Sequence, residues 1–535
     1  MIIGDDFMVK MKKFLAVVTA CALTLPFAGC NDKKMNADES FGETYPLKTE
    51  TTLSYWMAIN ENVTASVSTF AETEYAKEAE KKTGVKIDYR HPVIGSEAEQ
   101  FNLLIASGEL PDVIEYGWYE FPGGPGKAID DGYIIPLNDY IDKYAPNLKK
   151  YLKENPDIDK AIKTDDGRYY VFPFIRGDEK LLLSAGPIVR VDLLEKLGIE
   201  APVTYDDWYN MLVKFKENGV KIPLCFNATN TWEIQQLLAT FGAQTGYYVD
   251  GDKVKFGPFD PEFKTTLEML SKWYKEGLLD KNFTTSDSKI RESNVLLGKT
   301  GVTYGSGGGQ LGKWISSLPK GSDIKLGTLT YPVANADSKG AKYKAISLPY
   351  PGMGAAVTTS CKNPALAIKY LDYFYGEEGH ILTNFGIEGK SYTMKDNKPT
   401  YTEEITKNPK GLSMSQAMAM YLRAYSSGPF VQDVGYIEQY YALDEQQQAL
   451  NDWCKGNDYA MKHQLPSILC TGEEASEMSE ITNNINTYRD NMILKFITGQ
   501  ESFDKYDNFV SQMKKFNADR ATEIQQAAYE RYKKR

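Results

Sequence analysis

Histidine and cysteine are scarce in this chain, with three histidines and six cysteines in 535 residues. His91, His380 and His463 stand far apart and form no HExxH, which removes the usual local signature of a zinc hydrolase. A histidine-based triad would need the fold to gather them. Cys225, Cys361, Cys454 and Cys470 form no CxxC, which argues against zinc. They are expected to be four separate buried thiols, with a Cys454–Cys470 pair as the alternative in an oxidising exterior. A basic excess is also missing. The net charge is −11, a poor match to nucleic acid or to an anionic lipid surface, so no nucleic-acid partner is expected. Beyond Leu25 no apolar run is long enough to cross a membrane. The chain has no GxSxG and no internal repeat. No cofactor and no metal are expected.

The first thirty residues stand apart from the rest. Lys10, Lys12 and Lys13 precede an apolar run from Phe14 to Leu25, and Ala28, Gly29 and Cys30 follow. This is the layout of a secretory signal, and the run is too short to span ~30 Å of hydrocarbon. Ala28-Gly29-Cys30 resembles the bacterial lipobox, whose cysteine is diacylated and becomes the first mature residue. Phe27 occupies the place of the usual leucine. Residues 1–29 are therefore read as a lipoprotein signal peptide, with Met8 or Met11 as alternative starts. The body is expected at the extracytoplasmic face of the cell membrane, anchored through Cys30. Residues 30–49 are polar and are expected to form a flexible tether.

A chain of 535 residues exceeds one typical domain, so two or more lobes are expected. Aromatic residues make up 12%, including 36 Tyr and 7 Trp, enough for a core and an aromatic-lined site. Strand and helix signals alternate. Leu53–Met57 reads as a strand, 75–83 as a helix ended by Gly84, and Val85–Tyr89 as a strand. Glu97–Ser107 reads as a helix ended by Gly108, and 111–116 as a third strand. Further along come a strand at 168–172, a helix at 191–197, and a helix opened by Thr204 with Asp207 in the capping-box position. A hairpin at 248–254, an amphipathic helix at 263–276, a strand at 302–304 and a helix at 364–375 follow. From Ser413 onward the chain is expected to be mostly helical. The alternation predicts an α/β fold around largely parallel sheet. Trp208, Trp273 and Trp453 fall on helical patterns and are expected in the core.

Several segments together resemble the extracellular solute-binding proteins of family 1, the LplA-like lipoprotein branch of bacterial ABC sugar importers. They are Phe101-Asn-Leu-Leu-Ile-Ala-Ser-Gly-Glu-Leu-Pro-Asp-Val113, Arg190-Val-Asp-Leu-Leu-Glu-Lys-Leu-Gly-Ile199, Thr204-Tyr-Asp-Asp-Trp-Tyr209, Leu270-Ser-Lys-Trp-Tyr-Lys-Glu-Gly-Leu278, Asn384-Phe-Gly-Ile-Glu-Gly-Lys-Ser-Tyr392 and Ala527-Ala-Tyr-Glu-Arg-Tyr532. Each alone is weak; their order, spacing and placement after a lipobox make the set specific. The resemblance implies a periplasmic-binding-protein-like α/β fold: two lobes joined by a multi-segment hinge, with a ligand cleft between them. The expected division is 50–180 with 352–412 for one lobe and 181–351 with 413–535 for the other. The resemblance also implies an oligosaccharide ligand, ABC permease subunits as partners, a monomeric receptor and no catalysis.

A sugar offers apolar C–H faces and many hydroxyls, so its site calls for aromatic platforms and a few polar groups on loops at the C-terminal ends of parallel strands. The candidates are Trp56 and Asn60 after the first strand, and Trp118 and Tyr119 after the third; for the aromatics, core packing is the equal alternative. Arg176 lies near the expected first lobe crossing, suited to fork onto a carboxylate or a hydroxyl pair or to form a hinge ion pair. Trp232 and Glu233 sit at a helix start, where Glu233 also complements the helix dipole. Tyr350 lies on a second crossing, and Glu388 lies in a shared loop where a loop-holding hydrogen bond is the plainer role. Gly307-Gly-Gly-Gln-Leu-Gly312 satisfies GxGxxG, but no acidic residue ends a second strand about 20 residues on. Its milder role is a helix start whose N–H groups hold a hydroxyl or carboxylate, beside Tyr304 and Ser306. Gly298-Lys-Thr300 lacks the first P-loop glycine, having Ser293 there. Asp280–Arg291 departs from a calcium loop at Thr285 and Arg291.

Two other functions compete with a sugar receptor. One is a surface glycoside hydrolase or lyase, for which Glu115 and Glu233 are the acids to test. The other is a ligand sensor that docks on a membrane kinase. The anchor reading has a direct check. Cys30→Ala should move the protein from the membrane fraction to the soluble extracytoplasmic fraction on fractionation, and a variant that stays with the membrane overturns it.

Overall fold

A computed structural model describes residues 41–535; the leader, Cys30 and residues 31–40 lie outside the described residues. β1 (Thr52–Trp56) leads through a helix at Glu74–Thr83 to β2 (Lys86–Arg90), in parallel register with β1. Thr73 caps that helix by accepting the Ala76 N–H, and Gly84 ends it at φ +75°. A Cβ on Gly84 would stand 2.2 Å from the Leu47 carbonyl oxygen, so the close approach of residue 47 requires glycine there. That approach corrects one expectation. Residues 42–49 are not free tether: Leu47 is buried and donates its N–H to Thr83 O at 2.8 Å, and the Tyr45 hydroxyl bonds Lys369 O at 2.6 Å. The apolar Tyr45 and Leu47 interrupt the polar run and dock on the body.

After the helix Glu97–Ser107 comes β3 (Val113–Gly117), buried at every position, as a strand covered on both faces must be. β4 is only Phe172–Pro173, shorter than the strand expected over 168–172. β5 (Ile175–Arg176) leaves this first sheet, and β6 (Ala185–Arg190) opens a second. β7 (Ile222–Cys225), β10 (Thr300–Ser306) and β11 (Leu326–Thr328) join it, while β8 (Tyr247–Asp250) and β9 (Lys253–Phe256) form a separate hairpin. β12 (Met353–Val357) then returns to the first sheet. A peripheral hairpin, β13 (Tyr392–Lys395) and β14 (Lys398–Tyr401), precedes β15 (Val431–Gln432). The first sheet has the order β2-β1-β3-β12-β4 and the second β11-β6-β10-β7.

Both sheets are mixed, which corrects the expectation of largely parallel sheet. β12 is antiparallel to β3 and β4, and β6 is antiparallel to β10 and β11. The two antiparallel strands, β6 and β12, are the first strands laid down after each change of sheet. A strand arriving from the other lobe enters from the hinge side, opposite in sense to strands of βα units that run toward it. The α/β class stands, and the molecule has two lobes.

Capping follows the sequence closely. Thr204 and Asp207 exchange both bonds of a capping box and hold the start of the helix that carries Trp208. Trp208, Trp273 and Trp453 are fully buried in the second lobe, as expected, together with Trp314. Cys225, Cys361, Cys454 and Cys470 are all free thiols, the latter two only partly buried. The C-terminal helix Ala518–Lys533 packs on β9 of the second lobe. Just beyond it, Arg535 bonds Asp165 of the first lobe at 2.6 Å, as does Arg531 from the helix itself.

Asp372, at the end of the helix Pro364–Tyr373, is 1% exposed and caps another helix. Its carboxylate accepts the N–H groups of Asn147 and Leu148 at the start of Pro146–Glu154. Burial nonetheless outweighs these bonds and raises its pKa from 3.8 to about 6. The folded state therefore binds the proton more tightly than the unfolded chain. Its contribution is complete below pH 3.8 and is lost as pH rises through 6. Melting temperatures of the wild type should fall relative to Asp372→Asn across that window, whereas parallel curves would overturn the assignment.

Candidate functional site

Three segments cross between the lobes, and they lie side by side. β5 belongs to the first, and Pro349 and Met353 bracket the second. The third contains β15, parallel to β5 with Gln432 opposite Arg176. Main-chain bonds fasten them: Ile175 N–H to Phe430 O, Arg176 N–H to Pro349 O, Gly177 N–H to Gln432 O and Phe174 N–H to Met353 O, all 2.9–3.1 Å. The third crossing shifts the lobe boundary expected at 412/413. The helix Met414–Tyr421 packs against the helices Glu61–Thr64 and Glu74–Thr83 of the first lobe, so the chain leaves that lobe only after Arg423.

Against this strap lies a cavity of about 440 Å³. Phe174, Arg176 and Lys180 line it from the first crossing, Pro351 and Met353 from the second, and Ala424–Ser427, Gln432 and Tyr436 from the third. Ser306, Gly308 and Gly309 close it from the end of β10 in the second lobe, with Tyr440 and Tyr441 over them. Broader hollows of about 600, 650 and 710 Å³ occur on the surface, but each is lined from one lobe only. Tyr436 and Tyr440 stack with ring centroids 6.0 Å apart and planes 7° off parallel. Gly307–Gly312 forms a π-helical turn into the helix Lys313–Ser317. A Cβ at Gly307 would stand 2.5 Å from the Tyr441 ring, and one at Gly308 2.8 Å from the Tyr440 ring. The glycines serve to let two tyrosines lie against main chain. The Gly307 N–H is bonded to Ser184 O, so it is not available to a ligand.

The third crossing is held from below by a buried ion pair. Arg423 and Glu115 of β3 meet at 2.7 Å with side chains 7% and 6% exposed. The Tyr55 hydroxyl donates to the second Glu115 oxygen at 2.7 Å. Arg423 also donates to Ser427 O and lies over the Phe70 ring. The turn 424–427 that walls the cavity is thus wrapped around a guanidinium fixed to the first sheet.

The cavity gathers Arg176 and Ser306 of the residues singled out from sequence. Trp56 and Trp118 are buried in the first lobe, Trp56 against Phe101 and Tyr116, and Trp118 against Phe101 and Phe121. These two are corrected to core residues: both extend an aromatic cluster whose apolar surface they bury. Tyr304 and Tyr350 are also buried, their hydroxyls bonded to Gln236 and Tyr170 respectively. Tyr119 packs on the second crossing, its ring lying where Gly352 has no Cβ. Asn60 is an N-cap that accepts the Asn62 N–H. Glu233 accepts both the N–H and hydroxyl of Thr229, which ties down the loop ahead of its helix. Glu388 is exposed in the loop before β13 and does not line the cavity. Trp232 is 59% exposed in the first turn of the helix Thr231–Thr240 that follows β7, at the same end of the second sheet as Ser306 because β7 and β10 run parallel.

Sequence reasoning missed Gln432, Tyr425, Tyr436, Tyr440 and Tyr441. A signal was present: Ser426-Ser-Gly-Pro429 breaks the helical pattern within the chain's tyrosine-dense stretch. Two buried groups on the second lobe were also missed. Arg291 is 8% exposed, and its Nε has no partner; burial pulls its pKa below the ordinary arginine value. Asn227, just beyond β7, is 1% exposed with neither amide atom bonded. Among the described residues no cluster of His, Cys, Asp or Glu is arranged to hold a metal.

The profile of the bacterial extracellular solute-binding protein family matches residues 65–381. The chain is 27% identical to the fructooligosaccharide ABC transporter substrate-binding protein FusA of Streptococcus pneumoniae, over 98% of this chain and 99% of that one. It is 28% identical to lipoprotein LipO of Bacillus subtilis, over 62% of this chain and 66% of that one. Among solved structures, alginate-binding protein AlgQ2 superposes with a TM-score of 0.68 at 25% identity, covering 92% of this chain and 99% of AlgQ2.

The buried pair under the cavity wall has a measurable weight. Glu115→Gln leaves the Arg423 charge buried without its counter-ion and should cost about 3–5 kcal/mol, read as a lowered melting temperature. Combining it with Arg423→Met should recover much of the loss. A single variant as stable as the wild type would show that the pair does not hold this turn.

Proposed function

The chain belongs to the bacterial extracellular solute-binding protein family, and from that premise we propose that it captures an oligosaccharide between its lobes and delivers it to the permease of an ABC importer. The observation that carries this is the position of the cavity: it lies on all three crossings and takes wall from both lobes. A ligand there touches both lobes only when they are together. Its binding energy is thereby converted into a shift toward the closed form, which is the form a permease can recognise. Four tyrosines give the sugar's C–H faces something to lie on, and Arg176, Gln432, Ser306 and Ser426 offer hydrogen bonds to its hydroxyls.

The similarity to LipO, itself named a lipoprotein, supports an extracytoplasmic body held to the cell membrane by a lipid on Cys30; we propose in addition that it works as a monomer. No helix among the described residues is long and apolar enough to cross a membrane. The protein is proposed to catalyse nothing. The two acids considered for glycoside chemistry already have structural partners, Glu115 in Arg423 and Tyr55 and Glu233 in Thr229.

A thermal-shift screen of oligosaccharides with product analysis tests this reading. A ligand present at 100 times its Kd should add ~2.7 kcal/mol to stability, visible as a raised melting temperature, and should be recovered intact. Cleavage of the stabilising sugar would replace the receptor reading with an enzymatic one.

A further inference from the structure

The chain has 72 acidic residues and a net charge of −11, yet among the described residues no aspartate or glutamate lines the interlobe cavity. Both of its charged wall residues are cations. Lys180 is matched by Glu438 at 2.8 Å. Among the described residues Arg176 has no carboxylate partner: it makes one hydrogen bond, to Leu181 O at 3.1 Å, lies over the Phe174 ring at 5.6 Å, and its Nε is buried without a hydrogen-bond partner. Burial lowers its pKa from the ordinary arginine value, and the only group acting against this is the Tyr436 phenol. Even a half-buried guanidinium with no counter-charge is costly unless a ligand supplies one. Beside it stands Gln432, its register partner across β5 and β15. Gln432 is 6% exposed, its amide nitrogen donates to Ala424 O at 2.6 Å, and its oxygen is buried without a partner. Register partners leave a sheet on the same face, about 4.8 Å apart. The wall therefore presents an anion site with a hydroxyl acceptor next to it.

Resting on the sugar-capture reading above, we infer that the ligand is an acidic oligosaccharide. Its anionic group is taken by the Arg176 fork, and a hydroxyl on a neighbouring carbon donates to Gln432. A uronate carboxylate and a sulfate ester share this chemistry. Either one completes the bidentate geometry that a guanidinium favours and satisfies the orphaned amide oxygen.

The test is calorimetric binding to a panel with three arms: neutral oligosaccharides, uronic-acid oligomers, and neutral oligosaccharides bearing sulfate esters. Binding confined to an acidic arm, weakened at least tenfold by Arg176→Gln and less by Arg176→Lys, supports the inference, and the arm that binds identifies the anion. Circular dichroism of both variants confirms that they are folded. Binding by neutral sugars alone overturns the inference and leaves sugar capture standing. Acidic ligands held equally well by Arg176→Gln also overturn it. No binding in any arm overturns sugar capture itself, and this inference with it.

Discussion

The site depends on one constraint: three chain segments that pass between the lobes are laced together by main-chain hydrogen bonds. β5 accepts a partner on each side, β15 on one and Pro349 on the other. None of the three crossings can shift far without breaking bonds to another. The lobes are thus held to a common strap while keeping separate sheets and separate cores. Gly177 shows how tight the lacing is, since a Cβ there would come within 2.6 Å of Gln432 O. A site built on such a strap keeps its wall residues in register even as the lobes move about it.

Around the strap, tyrosine and glycine are used as complements. Tyr440 and Tyr441 reach the end of β10 because Gly308 and Gly307 have no side chain. Gln446 fits against Gly312 for the same reason and donates to Gly307 O at 2.8 Å. The glycine-rich run that imitates a nucleotide motif is a surface shaped to receive phenol rings. Its resemblance to GxGxxG follows from a shared need for backbone close approach, met here by protein instead of phosphate.

Much of the fold was legible because local signals and tertiary packing agree. Gly84, Gly108 and Gly198 end helices where the periodicity stops, and Thr204 with Asp207 opens one. Strand direction was not legible, since the antiparallel entries of β6 and β12 follow from the chain changing lobes, which no local pattern encodes. The site was read only in part. Arg176 was found because it follows the strand read at 168–172 near the expected first lobe crossing, and Ser306 because it stands beside the glycine-rich run after the strand read at 302–304. Trp56 and Trp118 sit at equivalent ends, but their size turned them into the aromatic core of the first lobe. The tyrosines of the third crossing escaped because β15 is only two residues long, below what alternation can reveal. Arg423 and Glu115 are 308 residues apart, so their pairing exists only in the folded chain.

The docking of Tyr45 and Leu47 has a mechanical consequence. The folded unit begins at Gly42, and its first residues are bonded to Thr83 and Lys369, both in the first lobe. Any load borne by the amino-terminal end therefore enters through that lobe alone. The second lobe carries the load only by way of the strap and the contacts between the lobes, among them Arg531 and Arg535 to Asp165 and the helix Gly472–Thr498 against the helix Gly124–Asp130. A tug on the leading end would be resisted in shear by Leu47 against its neighbour. It would not pry the two halves apart, and the gap between them would be insulated from a pull on that end.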